Sequence, residues 1–337
     1  MIILKSTLFA VTTALLFVQS GTGYKVETRY PVPGDGGFDY LSVDSSARRL
    51  YLSHGTEVNV VDADNGKLLG TIPDTPGVHG IAIAGDFKHG FTSNGRENKV
   101  SMFDTDTLKL INKIDVGKGP DGIYYDPGTK RVFTNNHGSH DISAIDAKTG
   151  QVVGTVKAEG DGEQAVIAGD LVYVNSENTN EVVVFDPKSL EVKNRFPIGV
   201  AKTPTGLAYD AKTKRLFIGT RSEPKMVVMD AASGKIINSW PIGRGVDYAG
   251  FDPQAKLIFF SCSEGVLNIF HEKGSDDYED AGAVKTQPSA KTMAFDSSTR
   301  KVFLTAAEYN EVPATTPGGR PQRTIKPGSF VVLVVSK

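Results

Sequence analysis

A tetrapeptide that returns seven times decides most of what this chain can become. Its copies are Tyr51-Leu-Ser-His54, Phe91-Thr-Ser-Asn94, Phe133-Thr-Asn-Asn136, Tyr173-Val-Asn-Ser176, Phe217-Ile-Gly-Thr220, Phe259-Phe-Ser-Cys262 and Phe303-Leu-Thr-Ala306. Successive copies start 40, 42, 40, 44, 42 and 44 residues apart. A period of that length marks a repeat architecture, in which each unit is too small to bury its own faces and stacks on copies of itself.

Every unit has the same internal order. A short apolar segment such as Gly122-Ile-Tyr-Tyr-Asp126 or Gly206-Leu-Ala-Tyr-Asp210 comes first. A polar turn follows, often with Lys or Arg near its end, as in Pro-Gly-Thr-Lys-Arg131. The aromatic-led tetrapeptide is next. A third apolar segment then stops at an aspartate in most units: Asp62, Asp104, Asp146, Asp186 and Asp230. A turn such as Asp146-Ala-Lys-Thr-Gly150 opens a fourth segment. Turn signals about every ten residues and no sustained helical periodicity predict four β-strands per unit. Seven such units predict an all-β, seven-bladed β-propeller of four-stranded antiparallel blades.

The tetrapeptides look like degenerate Tyr-Val-Thr-Asn, most closely at Tyr173-Val-Asn-Ser176. Gly-Pro-Asp-Gly-Ile at 119–123 and the Asp-x-x-Thr-Gly turns add to the likeness. No third strand ends in Trp-Asp, and the only tryptophan, Trp240, falls in a fourth strand, which argues against a WD repeat. The chain resembles the YVTN-repeat, YncE-like β-propeller family over residues 24–337. That resemblance implies an exported propeller, and it specifies fold far more tightly than function.

The seventh unit ends after its third strand, at Val331-Val-Leu-Val-Val-Ser-Lys337. The segment Val26-Glu-Thr-Arg-Tyr-Pro-Val32 resembles the fourth strands Val192-Lys-Asn-Arg-Phe-Pro-Ile198 and 236–242, yet nothing precedes it in its own unit. It is therefore expected to complete the last blade and to close the ring, removing an open sheet edge.

Ahead of it, Lys5 and an apolar run over roughly 8–18, followed by small residues at Gly21 and Gly23, predict a cleavable signal peptide over residues 1–23. The run is shorter than the roughly 20 residues that a membrane span requires. The mature domain is then residues 24–337, and the protein is expected to be periplasmic or secreted. The single cysteine, Cys262, excludes an intrachain disulfide and a Cys-x-x-Cys-His haem site, and reads as a small buried hydrophobe. A net charge of -2 gives no reason to expect nucleic acid or an anionic membrane as a partner.

The sequence lacks a Gly-x-Ser-x-Gly elbow, a His-Glu-x-x-His pair and a Walker loop. Ser222-Glu-Pro-Lys225 matches Ser-x-x-Lys by letter, but its proline places it in a loop. Asp62-Ala-Asp-Asn-Gly66 has glycine at the fifth position, where a calcium loop needs it at the sixth. These aspartates read as turn formers that accept backbone N–H bonds.

Strand parity yields a candidate site. In a four-stranded meander, the fourth-to-first and second-to-third connections emerge on one face. The residues just ahead of the first strands are Asp39, His79, Asp121, Gln164, Thr205, Asp247 and Lys291. The ends of the second strands bring His54, Asn94, Asn136 with His137 and His140, Ser176 with Glu177, Arg221 and Cys262 to the same face. Three carboxylates and several imidazoles around one opening could hold a divalent metal or a polar ligand, and they would equally suit a solvated rim. Mutual repulsion should raise some of these carboxylate pKa values and keep His79 protonated to higher pH. Asp121 and Asp247 are expected to stand outside the core. An insertion over residues 307–328, carrying Arg320, Arg323, Lys326 and four prolines, is expected to overhang this mouth as a basic flap.

The leading expectation is a binding or scaffold protein that offers the mouth to a small molecule or a protein partner. The alternatives are a lactonase-like metal-dependent hydrolase, by architectural analogy, and a propeller subunit of a periplasmic redox complex whose partner carries the cofactor.

Overall fold

The computed structural model describes residues 21–312 and 322–337; the apolar run of the expected signal peptide, and Arg320 with three of the insertion's prolines, lie outside them. The described residues form seven four-stranded antiparallel sheets and one two-stranded hairpin. The first blade comprises Leu41–Asp44, Arg49–His54, Glu57–Asp62 and Leu68–Ile72, from the channel outward. The next five repeat that order. The chain is an all-β, seven-bladed propeller. No helix among the described residues is long and apolar enough to cross a membrane.

The tetrapeptide forms the second strand of each blade, and its positions divide the work. The leading aromatic is core: Tyr51, Phe91, Phe133, Phe217, Phe259 and Phe303 are fully buried. The third position ties strands together at the channel. Asn135 Nδ2 donates to Glu163 O at 2.7 Å, Asn175 Nδ2 to Gly206 O at 2.9 Å, and Ser261 Oγ to Lys291 O at 2.6 Å, each reaching the next blade. The fourth position braces the turn that follows, as where Asn136 Nδ2 donates to Asp141 Oδ1 at 2.7 Å and Ser143 Oγ at 2.9 Å.

The aspartates that end the third strands are turn formers. Asp146 Oδ1, for example, accepts from the backbone N–H groups of Lys148 and Thr149 at 3.0 and 2.8 Å. The cation ahead of the second strand also has a backbone reason. Arg48, Lys88, Lys130, Lys214, Lys256 and Arg300 all occupy the left-handed region, with φ between 54° and 60°. Their conformation turns the backbone carbonyl toward an N–H just past the third strand, as in Ala63 N to Arg48 O at 3.0 Å. Three of these side chains also pair with the preceding blade: Arg48 with Asp296, Lys130 with Asp86 and Arg300 with Asp252.

The ring closes as expected. The strand Lys25–Pro31 is the outermost strand of the seventh blade, antiparallel to Val331–Ser336. Tyr24 packs edge-on against Phe259 of blade six, with ring centroids 5.3 Å apart. Tyr30 OH donates to Asp64 O of blade one at 2.9 Å. Its ring lies against Gly66, where an added Cβ would come within 2.2 Å of Tyr30 Cγ; at φ +74° this turn position wants glycine for its backbone as well. Gly234 receives Phe196 of the fourth blade's outer strand in the same way. The N-terminal strand thus packs as a fourth strand does.

Candidate functional site

The inner strands begin earlier than the sequence pattern places them. Val78–Ala84, Pro120–Asp126, Gly162–Ala168, Pro204–Asp210 and Val246–Asp252 start one or two residues ahead of the expected site positions. His79, Asp121, Gln164, Thr205 and Asp247 therefore lie within these strands, not ahead of them. In each strand the pairing register shifts at this point, between Pro120 and Ile123 for instance. Such a bulge re-aims side chains at the sheet's inner edge.

Most of the ionisable side chains expected at the mouth converge. His79 Nδ1 lies 2.7 Å from Asp39 Oδ2 and 3.6 Å from Asp121 Oδ2. Lys291 Nζ bridges Asp39 Oδ1 at 2.9 Å and Asp247 Oδ2 at 2.6 Å. Asp247 also pairs with Arg221, whose other nitrogen reaches Glu177 Oε1 at 3.2 Å. His137 Nδ1 stands 3.7 Å from Asp121 Oδ2. Above Asp39, His79, Asp121 and His137 opens a depression of about 500 Å³ whose walls include Gly37, Gly55, Gly77, Gly95 and Gly119.

Three expected residues serve the scaffold instead. Gln164 reaches blades five and six: its Nε2 donates to Ala249 O at 2.9 Å, and its Oε1 accepts from Leu207 N and Ala249 N. Thr205 is fully buried, and its hydroxyl donates to Val246 O at 2.8 Å. His54 is buried against Phe330, with Nδ1 2.7 Å from Asn59 Oδ1. Asp247 departs from expectation in another way. It is only 2% exposed and held between two cations, so it belongs to the buried wall of the channel. Cys262 is buried, and burial raises its thiol pKa far above the usual range.

Glu163 was not legible as a site residue. It sits 6% exposed and accepts from Tyr40 OH at 2.9 Å, where the channel narrows to a cavity of about 60 Å³ also lined by Gln164 and Tyr248. The bulge turns both Glu163 and Gln164 inward, whereas strict alternation would admit only one of the two. Burial first, and then the negative charges of Asp121 and Asp247, push the Glu163 carboxyl well above its ordinary range.

The other shifts follow from the same geometry. Burial and the neighbouring Asp39 charge raise Asp121, against the pull of His79 and His137. Burial also disfavours charge on Asp39, but the His79 hydrogen bond and the Lys291 charge outweigh it and lower the pKa. For His79, burial is overcome by Asp39 and Asp121, so the imidazole holds its proton to higher pH than usual. Lys291 is partly buried, and Asp247 and Asp39 nevertheless raise its pKa.

The insertion folds in part as a hairpin of Tyr309–Val312 and Gln322–Ile325. It stands on the expected face: Tyr309, Glu311 and Arg323 share a depression of about 630 Å³ with Lys291 and Phe38. It is not a free basic flap, however. Arg323 pairs with Glu311 at 2.7 Å and Lys326 with Glu308 at 2.9 Å, so these two cations are matched by acids at the hairpin's own base.

Comparison with known folds agrees with this architecture. A chain titled Kuenenia stuttgartiensis hydrazine synthase superposes with a TM-score of 0.71 at 16% identity, covering 81% of this chain and 94% of that one. A chain from a crystal structure of the mitotic checkpoint complex gives 0.72 at 13% identity, covering 96% and 97%. At such identities the likeness is one of fold. Comparison with curated protein sequences finds no match. The family model of YNCE-like β-propellers matches residues 88–310, well over half of the sequence. The chain belongs to the YNCE-like β-propeller family.

Proposed function

We propose that this protein is an exported binding protein whose polar channel mouth receives a ligand. One observation carries the reading: all seven blades send an ionisable side chain to the same opening. Asp39, His79, Asp121 with His137, Glu177, Arg221, Asp247 and Lys291 come from blades one to seven in order, and contacts link them in a chain along the channel. Ring packing alone has no use for that arrangement. Buried ion pairs give a fold little net stability over apolar packing, so their concentration around one opening speaks for recognition. Carboxylates from blades one, three, four and six alternate around the opening with basic groups from blades two, three, five and seven, which suits a polar ligand with both donor and acceptor groups.

The experiment is native mass spectrometry of protein recovered from its producing cell, wild type against Arg221→Gln. Arg221 is partly exposed, and Asp247 keeps Lys291 when it is gone. A small molecule or protein that accompanies the wild type should be lost from a variant of unchanged melting temperature. No accompanying component, or one retained by the variant, would move the working surface elsewhere. Export rests on the apolar run near the N-terminus and on Tyr24, just ahead of the closing strand, being the first buried side chain among the described residues. N-terminal sequencing of periplasmic or secreted protein should begin near Tyr24; a cytosolic chain retaining Met1 would end this part of the reading.

A further inference from the structure

We infer that the depression beneath the insertion hairpin, beside the mouth, is a subsite for a neutral saccharide, held by aromatic faces and uncharged hydrogen-bonding groups. This rests on the reading that a polar ligand enters by this face, and it names the chemical class of the part that the hairpin holds.

Hairpin register supplies one wall. Glu311 pairs with Arg323 across the two strands, so these side chains share a face. Alternation along the first strand adds Tyr309 to that face. All three line the depression of about 630 Å³, a volume within the range of roughly 300–1,000 Å³ that suits small-molecule sites. Tyr309 is 41% exposed. Phe38 lines the same depression and is partly exposed, its ring stacked on Phe330 with centroids 5.2 Å apart. An aromatic side chain offers a broad apolar face to the C–H groups of a sugar ring, while the polar edges of that ring stay free for hydrogen bonds.

Charge decides the class. Every ionised group lining the depression already has its counter-charge. Arg323 pairs with Glu311 at 2.7 Å, Glu308 with Lys326 at 2.9 Å, and Lys291 with Asp39 at 2.9 Å and Asp247 at 2.6 Å. An ionic ligand would have to displace one of these partners, and the displaced charge would then lack its own. The uncommitted groups are neutral. Among the described residues, the hydroxyls of Ser263 and Tyr309 make no hydrogen bond within the protein. Gln287 uses only its Oε1, which accepts from Arg29 Nη1 at 2.7 Å, so its amide N–H groups remain free. Hydroxyls donate and accept, and the amide nitrogen donates. Two aromatic side chains and a set of uncharged donors and acceptors match a compound whose rings are apolar on their faces and carry hydroxyls at their edges.

Isothermal titration of the full-length protein with maltose, cellobiose, lactose and N,N′-diacetylchitobiose tests the subsite, with chitobiose and digalacturonate as cationic and anionic counterparts. At least one neutral disaccharide should bind, one per chain, with a sub-millimolar dissociation constant and more tightly than either charged probe. Added salt should change that affinity by less than about twofold, since no ionic contact forms. Tyr309→Ala should weaken binding by about tenfold, the worth of one aromatic contact, with the melting temperature unchanged because the ring is exposed. His271→Gln, on the opposite face, should bind as the wild type does. Absence of binding by every neutral disaccharide, tighter binding of a charged probe, or equal affinities in wild type and Tyr309→Ala would overturn the proposal. Arg221→Gln separates the two readings: Arg221 does not line this depression, so the variant should retain the disaccharide while losing the co-purifying component. Disaccharide binding that fails while that component still depends on Arg221 would remove the saccharide and leave the binding mouth standing.

Discussion

Single residues at the mouth carry opposite protonation habits within a few ångströms. Asp39 is held ionised by Lys291 and His79, while Glu163, deeper in the channel, is pushed toward its neutral form. An unfolded glutamate titrates near roughly 4.3. The folded Glu163 keeps its proton to higher pH, so across that window the native state holds a proton that the unfolded state has released. Stability therefore falls as pH rises from about 4.3 toward the folded value, by up to about 1.4 kcal/mol per pH unit. Glu163→Gln keeps the shape of the neutral acid and removes the titration. It is expected to match the wild type near pH 4 and to exceed it by at least about 1 kcal/mol at pH 7 in urea unfolding. A variant less stable than wild type at pH 7 would show that Glu163 works as a charged group. The positions of Asp39, His79, Asp121 and Lys291 could be read from their place in the repeat. Glu163 could not, because a bulge reverses the side to which a residue points and leaves no mark in alternation.

At the scale of elements, the strand Lys25–Pro31 is the joint on which the ring depends. It buries Tyr30, its flanking residues Tyr24 and Val32 are buried as well, and it covers the outer edge of Val331–Ser336. Tyr30→Ala should cost about 3 kcal/mol, as for a large buried aromatic, and lower the melting temperature by roughly 6 °C. Deleting residues 24–32 should cost more, and should make the chain aggregate through the bared edge. An unchanged melting temperature in the deletion would show that closure does not need this strand. Its role could be anticipated because Arg-Tyr-Pro-Val repeats the pattern of Arg-Phe-Pro-Ile, and a strand with no earlier partners must find late ones. The insertion after Ala306 was legible only by its length. Its pairing of Arg323 with Glu311 depends on hairpin register, which cross-strand contact decides.

Across the whole molecule, the sequence alone determined the blade number, the strand order, the closing strand and the face that carries polar side chains. These follow from local physics repeated seven times: an aromatic that must be buried, an aspartate that must turn, and an alternation that assigns each strand two faces. Tertiary structure alone decided which of those polar side chains meet. Parity places all of these candidates on one face, yet Gln164, Thr205 and His54 are taken up by backbone and ring contacts, while donor atoms of Asp39, His79 and Asp121 from three adjacent blades come within 4.8 Å of one another. Residues 40 or more positions apart in the chain become neighbours only when blades close into a ring of fixed radius. The distances across that ring depend on bulges and on inter-blade hydrogen bonds, which no local pattern in the chain encodes.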